Sequence, residues 1–182
     1  MKSFRELEAS EIDCRIATVS EKGISLLLYK DARCDMNILD ETVGPLNWQR
    51  SHSRDNANCT VSIFDKDKNV WVSKEDTGTE SYTEKEKGLA SDSFKRACFN
   101  WGIGRELYTA PFIWIGSDDC KLVNKNGKQT CYDKFKVEYI EYDENRVISF
   151  LTIANISLKK RVFTYGKQKK QEWDIEINSS KK

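Results

Sequence analysis

The sequence predicts an α+β fold in which an antiparallel β-meander packs on a long helix, in the order β-β-α-β-β-β-α, with a C-terminal β-rich extension. Strand-like runs with alternating apolar residues occur in blocks, whereas strands that alternate with helices are typical of a parallel sheet. Between the blocks, two segments have apolar residues every three to four positions, as helices do. Only two prolines occur in 182 residues and no stretch resembles a linker, so we expect one continuous fold.

The first predicted elements are a short helix, a hairpin and a second helix. Apolar residues near the start indicate a short helix that leads into a strand. Gly23 separates this strand from an apolar run over 24–29, which we expect to be a buried strand. Over 31–43 the apolar positions recur with a helical period, with Asp31 as the N-cap and Gly44-Pro45 as the stop.

Three strands and a longer helix complete the predicted core. The strand-like runs are 47–53, 59–65 and 70–77. The longer helix is predicted within the segment 83–107, where Thr83 and Glu86 fit a capping box. We expect Gly102 and Gly104 to end it, since a dinucleotide-binding loop would place its glycines between a strand and a helix. One face of this helix carries the apolar residues Ala90, Phe94, Ala97, Cys98 and Trp101.

Strand signals return beyond Pro111. The predicted strands are 135–142, 147–153, 161–165 and 173–177. We therefore divide the chain into a core, residues 1–115, and a β-rich basic extension, residues 116–182, packed on the same domain.

Charge is unevenly distributed along the chain, although the formal net charge is only +1. Residues 151–182 carry eight Lys/Arg and three Asp/Glu, which leaves 22 and 26 for residues 1–150. This excess lies in basic clusters at 159–161, 167–170 and 181–182, which either attract phosphates or simply solvate strand ends. No apolar run reaches the ~18 residues of a membrane span, and the first residues lack the apolar block of a secretory signal. We expect a cytoplasmic protein without membrane contact.

The residues with catalytic or metal-binding chemistry do not form a familiar site. The six cysteines contain no CxxC pair and His52 is the only histidine, so we expect reduced thiols, no metal and no cofactor. Paired carboxylates on neighbouring strands hold magnesium in many nucleases. The candidates for such a site are Asp65, Asp67, Glu75 and Asp76. A magnesium-dependent nuclease is therefore one alternative, although turn chemistry alone explains Asp65 and Asp67.

A row of cations follows the long helix. Relative to the apolar stripe, Arg96 is expected to face outward and Lys95 to flank the packed face, so the two form an exposed basic pair. With Lys87 two turns earlier and Arg105 beyond the glycine break, one helix offers several positive charges to phosphates. The same pattern suits ordinary solvation, helped by an Asp92–Arg96 pair at i,i+4.

The long helix also carries a distinctive motif. Ala90-Ser91-Asp92 is followed by Lys95-Arg96-Ala97 and then by Trp101-Gly102. This motif resembles the helix of the Rad-fifty-two family of single-strand annealing proteins, in which an Ala-x-Asp-x-x-Lys-Arg-Ala core is followed by an aromatic-Gly step. The segments 43–48 and 75–80 are similar to the family's segments before and after the meander. The resemblance covers residues 11–107 and includes the predicted order of elements.

The resemblance implies a ring-forming protein, not an enzyme, that holds single-stranded DNA in a basic groove and anneals complementary strands without ATP. Lys95 and Arg96 fall on the family's paired groove cations, and Arg15, on the first strand, falls on another. Phe99 stands where some members carry a third helix cation. The chain lacks the long tail of eukaryotic members and so resembles the compact members of phages and prophages. The implied partners are single-stranded DNA, further copies of the chain and a single-strand-binding protein, in the cytoplasm of a bacterial or phage-infected cell.

Two alternatives to annealing stay open. One is the magnesium-dependent nuclease, and the other is a nucleic-acid-binding or protein-binding scaffold without annealing activity. Trp48, Trp71 and Tyr82 are candidates for stacking on bases. Aromatic residues on meander strands, however, more often pack in the core or at a subunit interface.

Overall fold

The computed structural model describes residues 3–79 and 85–168, without the side chains of residues 85–87. The chain divides into two compact units. The first contains the described residues up to Arg15 and Leu27–Ala110, and the second contains Ile16–Leu26 and the described residues from Pro111 onward. In the part of the chain that is described, no helix combines the length and the apolar character that a membrane span requires.

Seven elements precede residue 101, in the predicted order β-β-α-β-β-β-α. They are β1 (Asp13–Ser20), β2 (Gly23–Tyr29), α1 (Ala32–Val43), β3 (Trp48–Ser53), β4 (Asn58–Asp65), β5 (Val70–Thr77) and α2 (Lys85–Asn100). A 3-10 turn at Ala9–Glu11 stands where a short helix was expected, and the residues around it, Phe4, Leu7 and Ile12, are buried. The prediction of an α+β fold built on antiparallel strands is confirmed.

Helix α1 begins and ends where the sequence predicts. The carboxylate of Asp31 accepts a hydrogen bond from the backbone N–H of Cys34 at 2.9 Å and so caps the N-terminus. Gly44 ends the helix with a φ of +88°, a conformation that favours glycine. Ile38 and Leu39 are fully buried and hold α1 in the core of the first unit.

The three-stranded sheet β3-β4-β5 is antiparallel and packs against α2, as predicted for the meander and the long helix. The middle strand β4 buries Cys59, Val61 and Ile63. From the helix, Phe94 is fully buried, and the indole N–H of Trp101 donates to the Val61 carbonyl at 3.1 Å. The apolar stripe predicted from the sequence is therefore the packed face of α2.

Strands β1 and β2 lie outside the meander, in a six-stranded sheet. The further strands are β6 (Ile113–Gly116), β7 (Leu122–Lys125), β8 (Lys128–Cys131), β9 (Phe135–Tyr142), β10 (Ile148–Asn155) and β11 (Lys160–Gly166). The sheet order is β11-β10-β9-β1-β2-β6, and its edge strands β11 and β6 lie close together, so the sheet is nearly closed. β7 and β8 form a separate hairpin.

The predicted strands after Pro111 are confirmed at 135–142, 147–153 and 161–165, within one or two residues. The strand predicted at 173–177 lies outside the described residues. β6, β7 and β8 were not predicted, because each has only four residues and too little alternation to be recognised.

The expectation that the second strand is buried throughout is wrong for its second half. Ile24 and Leu26 are buried, but Leu27 is 50% and Tyr29 is 40% exposed. Leu27 and Tyr29 belong to the first unit, where they border a cleft. The apolar run therefore contributes to a core at one end and to an open surface at the other.

Candidate nucleic-acid interface

A cleft of about 340 Å³ lies in the first unit, bordered by the end of β2, by α2 and by the 3-10 turn Arg105–Thr109. Its charged lining residues are Arg15, Lys30, Asp92, Lys95 and Arg96. Its aromatic lining residues are Tyr29, Phe99 and Tyr108. Four cations and one carboxylate thus surround a space that also presents aromatic rings.

Three of the residues predicted to bind DNA meet at this cleft. Arg15 on β1 lines it together with Lys95 and Arg96 on α2. Arg15 is exposed, whereas Lys95 and Arg96 are half-buried. The expectation of an exposed basic pair is therefore wrong. The expectation was based only on the helix face that packs on the sheet. In the structure, the end of β2 and the turn after α2 enclose the other side of Lys95 and Arg96.

The cleft carries more positive than negative charge. Arg96 Nε donates to Asp92 at 2.9 Å, which is the predicted i,i+4 pair, and the backbone N–H of Thr79 donates to the same carboxylate oxygen at 2.9 Å. Burial raises the pKa of Asp92, but these hydrogen bonds and the charges of Arg96 and Lys95 lower it by more, so the group stays ionised. Within the described residues, Arg15 and Lys95 have no salt-bridge partner.

Of the other two predicted DNA contacts, Arg105 does not line the cleft. Arg105 is exposed, and its guanidinium donates to the carbonyl oxygens of Phe99, at 2.8 and 3.1 Å, and of Asn100, at 3.2 Å. It therefore caps the C-terminal end of α2, where a cation also complements the helix dipole. Lys87 lies on α2, and its side chain is outside the described part of the chain.

A buried ion pair that was not predicted involves Lys30, which lines the cleft. Lys30 Nζ donates to a carboxylate oxygen of Asp35, and both side chains are at most 1% exposed. Burial raises the pKa of Asp35 to about 6, while the charge and the hydrogen bond of Lys30 oppose that rise. Lys30 precedes the helix cap Asp31, and a lysine at such a place ordinarily reaches into solvent. The local sequence therefore did not indicate that Lys30 is buried.

Gly104 leaves the space that the Lys30 side chain occupies. A Cβ at Gly104 would lie 2.3 Å from Cε of Lys30, and its φ of +72° already favours glycine. The prediction that Gly102 and Gly104 end the long helix is confirmed, because α2 ends at Asn100 and both glycines have positive φ. The second glycine therefore ends the helix and also allows the buried ion pair.

Two aromatic rings follow Lys30 outward through the cleft. Lys30 Nζ lies 4.3 Å from the centroid of the Phe99 ring. The rings of Phe99 and Tyr108 are 4.9 Å apart between centroids and tilted by 57°. The ammonium of Lys30, the residue after β2, therefore lies against the ring of Phe99.

The aromatic residues considered from the sequence lie elsewhere. The indole N–H of Trp48 donates to Asp40 at 2.6 Å, and its ring stacks on Phe94 at 6.1 Å. Trp71 packs on Phe64, on the face of the meander opposite to α2. Tyr82 lies outside the described residues. Neither Trp48 nor Trp71 lines the cleft.

The four carboxylates of the nuclease alternative are not brought together. Asp65 accepts a hydrogen bond from the backbone N–H of Asp67 at 3.0 Å, in the turn between β4 and β5. Glu75 and Asp76 lie toward the other end of β5, with Glu75 opposite Thr60. Roughly five strand residues, or ~17 Å, separate the two pairs. Among the residues that the structure describes, no group of three or more His, Cys, Asp or Glu is arranged to hold a metal ion.

The buried cysteines show no activated thiol. None of the six, all of which lie in the described residues, forms a disulfide, and five are buried. Burial raises the pKa of Cys34 to about 12 and that of Cys59 to about 11. Since the thiolate is the reactive form, these two groups are poor nucleophiles near neutral pH.

The basic cluster at residues 159–161 is largely paired with carboxylates. Lys160 Nζ lies 2.6 Å from Asp119, and Arg161 Nε lies 2.6 Å from Glu138. Residues 169–170 of the cluster 167–170, and the whole cluster 181–182, lie outside the described residues. The cleft of the first unit is therefore the stronger candidate for phosphate binding.

Comparisons of this chain with protein-family models, with curated proteins and with solved structures find no match. The assignment of a function therefore depends on the chemistry of the cleft. Among the described residues, Arg15 and Lys95 are two cations of the cleft without a salt-bridge partner, and Phe99 and Tyr108 give it rings that suit nucleobases.

Proposed function

We propose that this protein binds single-stranded DNA in the cationic cleft of its first unit and anneals complementary strands without ATP. The observation that carries the proposal is the convergence of Arg15, Lys95 and Arg96 on one cleft, from a strand and a helix far apart in sequence. Contacts to phosphates dominate sequence-independent affinity for nucleic acids. Convergent cations are what such contacts require, and ordinary solvation of a helix face does not require convergence.

Single-stranded DNA suits the cleft better than a duplex does. Proteins that bind single strands combine a positively charged groove with aromatic side chains on which bases stack. The cleft combines both, since Tyr29, Phe99 and Tyr108 lie among its cations. Stacked bases inside a duplex would not offer their faces to these rings. Annealing needs held backbones and accessible bases, and it needs neither a nucleophile nor a metal.

Strand annealing over many nucleotides requires more than one cleft, so we propose that identical copies assemble into a ring. Repeating one small basic patch around a closed ring creates a continuous positive track. Each copy then needs only a few cations, which explains how a chain with a formal net charge of +1 binds a polyanion. The exposed edge of the meander is the surface that we assign to contacts between copies.

The edge strand β5 predicts self-association. It is an edge among the described strands, and Val70, Trp71 and Val72 are 46%, 45% and 38% exposed. An exposed apolar edge pairs readily with another chain. We expect light scattering at micromolar concentration to give a mass several times 21.1 kDa, and Trp71→Lys to lower it. Val123→Lys, at a residue of the β7–β8 hairpin that is 38% exposed, is the matched control. A monomer in low salt would contradict the ring.

The annealing proposal is tested with two complementary labelled oligonucleotides and purified protein, without ATP and in the presence of EDTA. We expect the protein to accelerate duplex formation under these conditions. A magnesium-dependent nuclease would instead shorten the strands in Mg²⁺ and lose this activity in EDTA. A scaffold module would bind the strands without changing their rate of annealing. Either of these results would contradict the proposed function.

A further inference from the structure

We infer that Tyr108 is a stacking platform for nucleobases, so that the cleft contacts the bases of a single strand as well as its phosphates. This inference rests on the proposed function and deepens it. Tyr108 was not among the aromatic residues considered from the sequence. Its place in the 3-10 turn after α2 sets it beside the cations of the same cleft.

The exposure of Tyr108 is unusual for a ring that is also held in place. The side chain is 69% exposed, yet its ring contacts Phe99 at 4.9 Å between centroids. Phe99 in turn lies against the buried ammonium of Lys30, which is itself fixed by Asp35. A ring supported from behind loses little conformational freedom when a base stacks on it, which favours binding.

The neighbouring charges supply the backbone contacts that a stacked base requires. Lys95 and Arg96 line the same cleft as Tyr108, and Arg15 lines it from β1. A nucleotide whose phosphate contacts these cations places its base within the same cleft. Stacking on Tyr108 is tolerant of sequence because every base has a π-face. Base contact of this kind suits a protein that must hold any sequence.

The structural support of Tyr108 makes it a clean target for substitution. Because most of the side chain is in solvent, Tyr108→Ala removes little packing and should preserve the fold. Tyr108→Phe keeps the ring and removes only the hydroxyl. Tyr132, which is 64% exposed and lies in the second unit, gives the matched control Tyr132→Ala.

The test compares the binding of two strands of equal length, oligo-dT and a chain of abasic sites, by fluorescence polarisation. Both carry the same phosphates, so their difference reports on base contacts. We expect the unsubstituted protein to bind oligo-dT about tenfold more tightly, since stacking on one aromatic ring typically has an effect of that size. Tyr108→Ala should lose this preference and keep its affinity for the abasic chain. Tyr108→Phe and Tyr132→Ala should behave as the unsubstituted protein.

The other outcomes are separable. If the unsubstituted protein binds the two strands equally, bases do not contact the cleft, and the stacking inference is overturned while the proposed function stands. If Tyr108→Ala weakens the binding of both strands equally, with an unchanged thermal unfolding curve, Tyr108 contacts the sugar-phosphate backbone of the DNA. The inference is then again wrong. If the unsubstituted protein binds neither strand, the proposed function fails and the inference fails with it.

Discussion

Replacing Lys95 and Arg96 together by alanine is expected to weaken binding to single-stranded DNA by about 100-fold or more at low salt. Hydrogen bonds to charged groups contribute about 1.5–3 kcal/mol each, so removing two cations that we propose to bind phosphates should have an effect of this order. The slope of log affinity against log salt should also become shallower, by ~0.7 for each phosphate that the variant no longer neutralises. Fluorescence polarisation over a salt series measures both quantities.

Half-burial of the two side chains requires a second variant. Lys95→Gln with Arg96→Gln removes the charges but keeps most of the aliphatic stems that pack in the cleft. It should lose binding as the alanine variant does, with a smaller change in thermal stability. Lys125→Ala with Lys128→Ala is the matched control, because it removes two exposed cations from the β7–β8 hairpin. That control should leave both affinity and salt slope nearly unchanged.

Unchanged binding in the double variants would contradict the assignment of the DNA site. If the double variants keep their oligomeric mass, their affinity and their salt slope, the basic pair is a solvated helix face and the cleft is not the DNA site. Lys159 and the residues at 167–170 would then become the next candidates. Lys160 and Arg161 would follow them, because carboxylates already neutralise both.

Much of the first unit follows from local sequence. Asp31 and Gly44 mark the ends of α1, and the apolar stripe that includes Phe94 marks the packed face of α2. These signals operate over a few residues of chain, through hydrogen bonds at helix ends and through helical periodicity. The meander is also local, since its strands follow one another and need only short turns.

The sheet around β1 and β2 was beyond sequence reasoning. These strands form a hairpin, as predicted, but they are joined in one sheet by β9, β10 and β11, from the far end of the chain. Strand periodicity predicts that a residue faces a core, and it does not say which other strand supplies the partner. The boundaries between the two units lie inside two continuous strands, after Arg15 and before Leu27. The amino-acid composition does not indicate them.

The cleft was predicted only in part, for a related reason. Lys95 and Arg96 were found because they share a helix and a recognisable motif. Lys30 and Tyr108 were missed, because their roles arise from contacts with Asp35 and Phe99 that exist only after folding. A lysine beside a helix cap and a tyrosine after a glycine turn look like ordinary surface residues in sequence.

The second large effect is expected from the buried ion pair under the cleft. Removing one partner of a buried pair is strongly destabilising, by about 3–5 kcal/mol, because the other charge is left without compensation. Asp35→Ala leaves the Lys30 ammonium buried at 1% exposure, and Lys30→Met leaves the Asp35 carboxylate at 0%. We expect each variant to lose about this much free energy of unfolding at neutral pH, measured by urea denaturation.

The double variant Lys30→Met with Asp35→Ala separates electrostatics from packing. Replacing both charges by apolar groups is often neutral or stabilising, so the double variant should be more stable than either single variant. The matched control is the partly exposed pair of Arg161 and Glu138, 50% and 31% exposed, where Glu138→Ala should cost about 1 kcal/mol or less. If the double variant lost as much free energy of unfolding as the single variants, the two side chains would stabilise the fold through their volume alone.

The pH dependence of these variants follows from the raised pKa of Asp35, about 6, which burial causes and Lys30 opposes. Because the folded protein binds this proton more readily than the unfolded chain, the free energy of unfolding falls as pH rises from about 4 toward 6. Lys30→Met removes the opposing charge, which extends that fall to higher pH. Its stability should therefore decrease relative to the unsubstituted protein between pH 5 and pH 8, in ~0.1 M salt. The double variant has no carboxylate to titrate, and its stability should lack this dependence; a parallel decline in both would contradict a charged pair under the cleft.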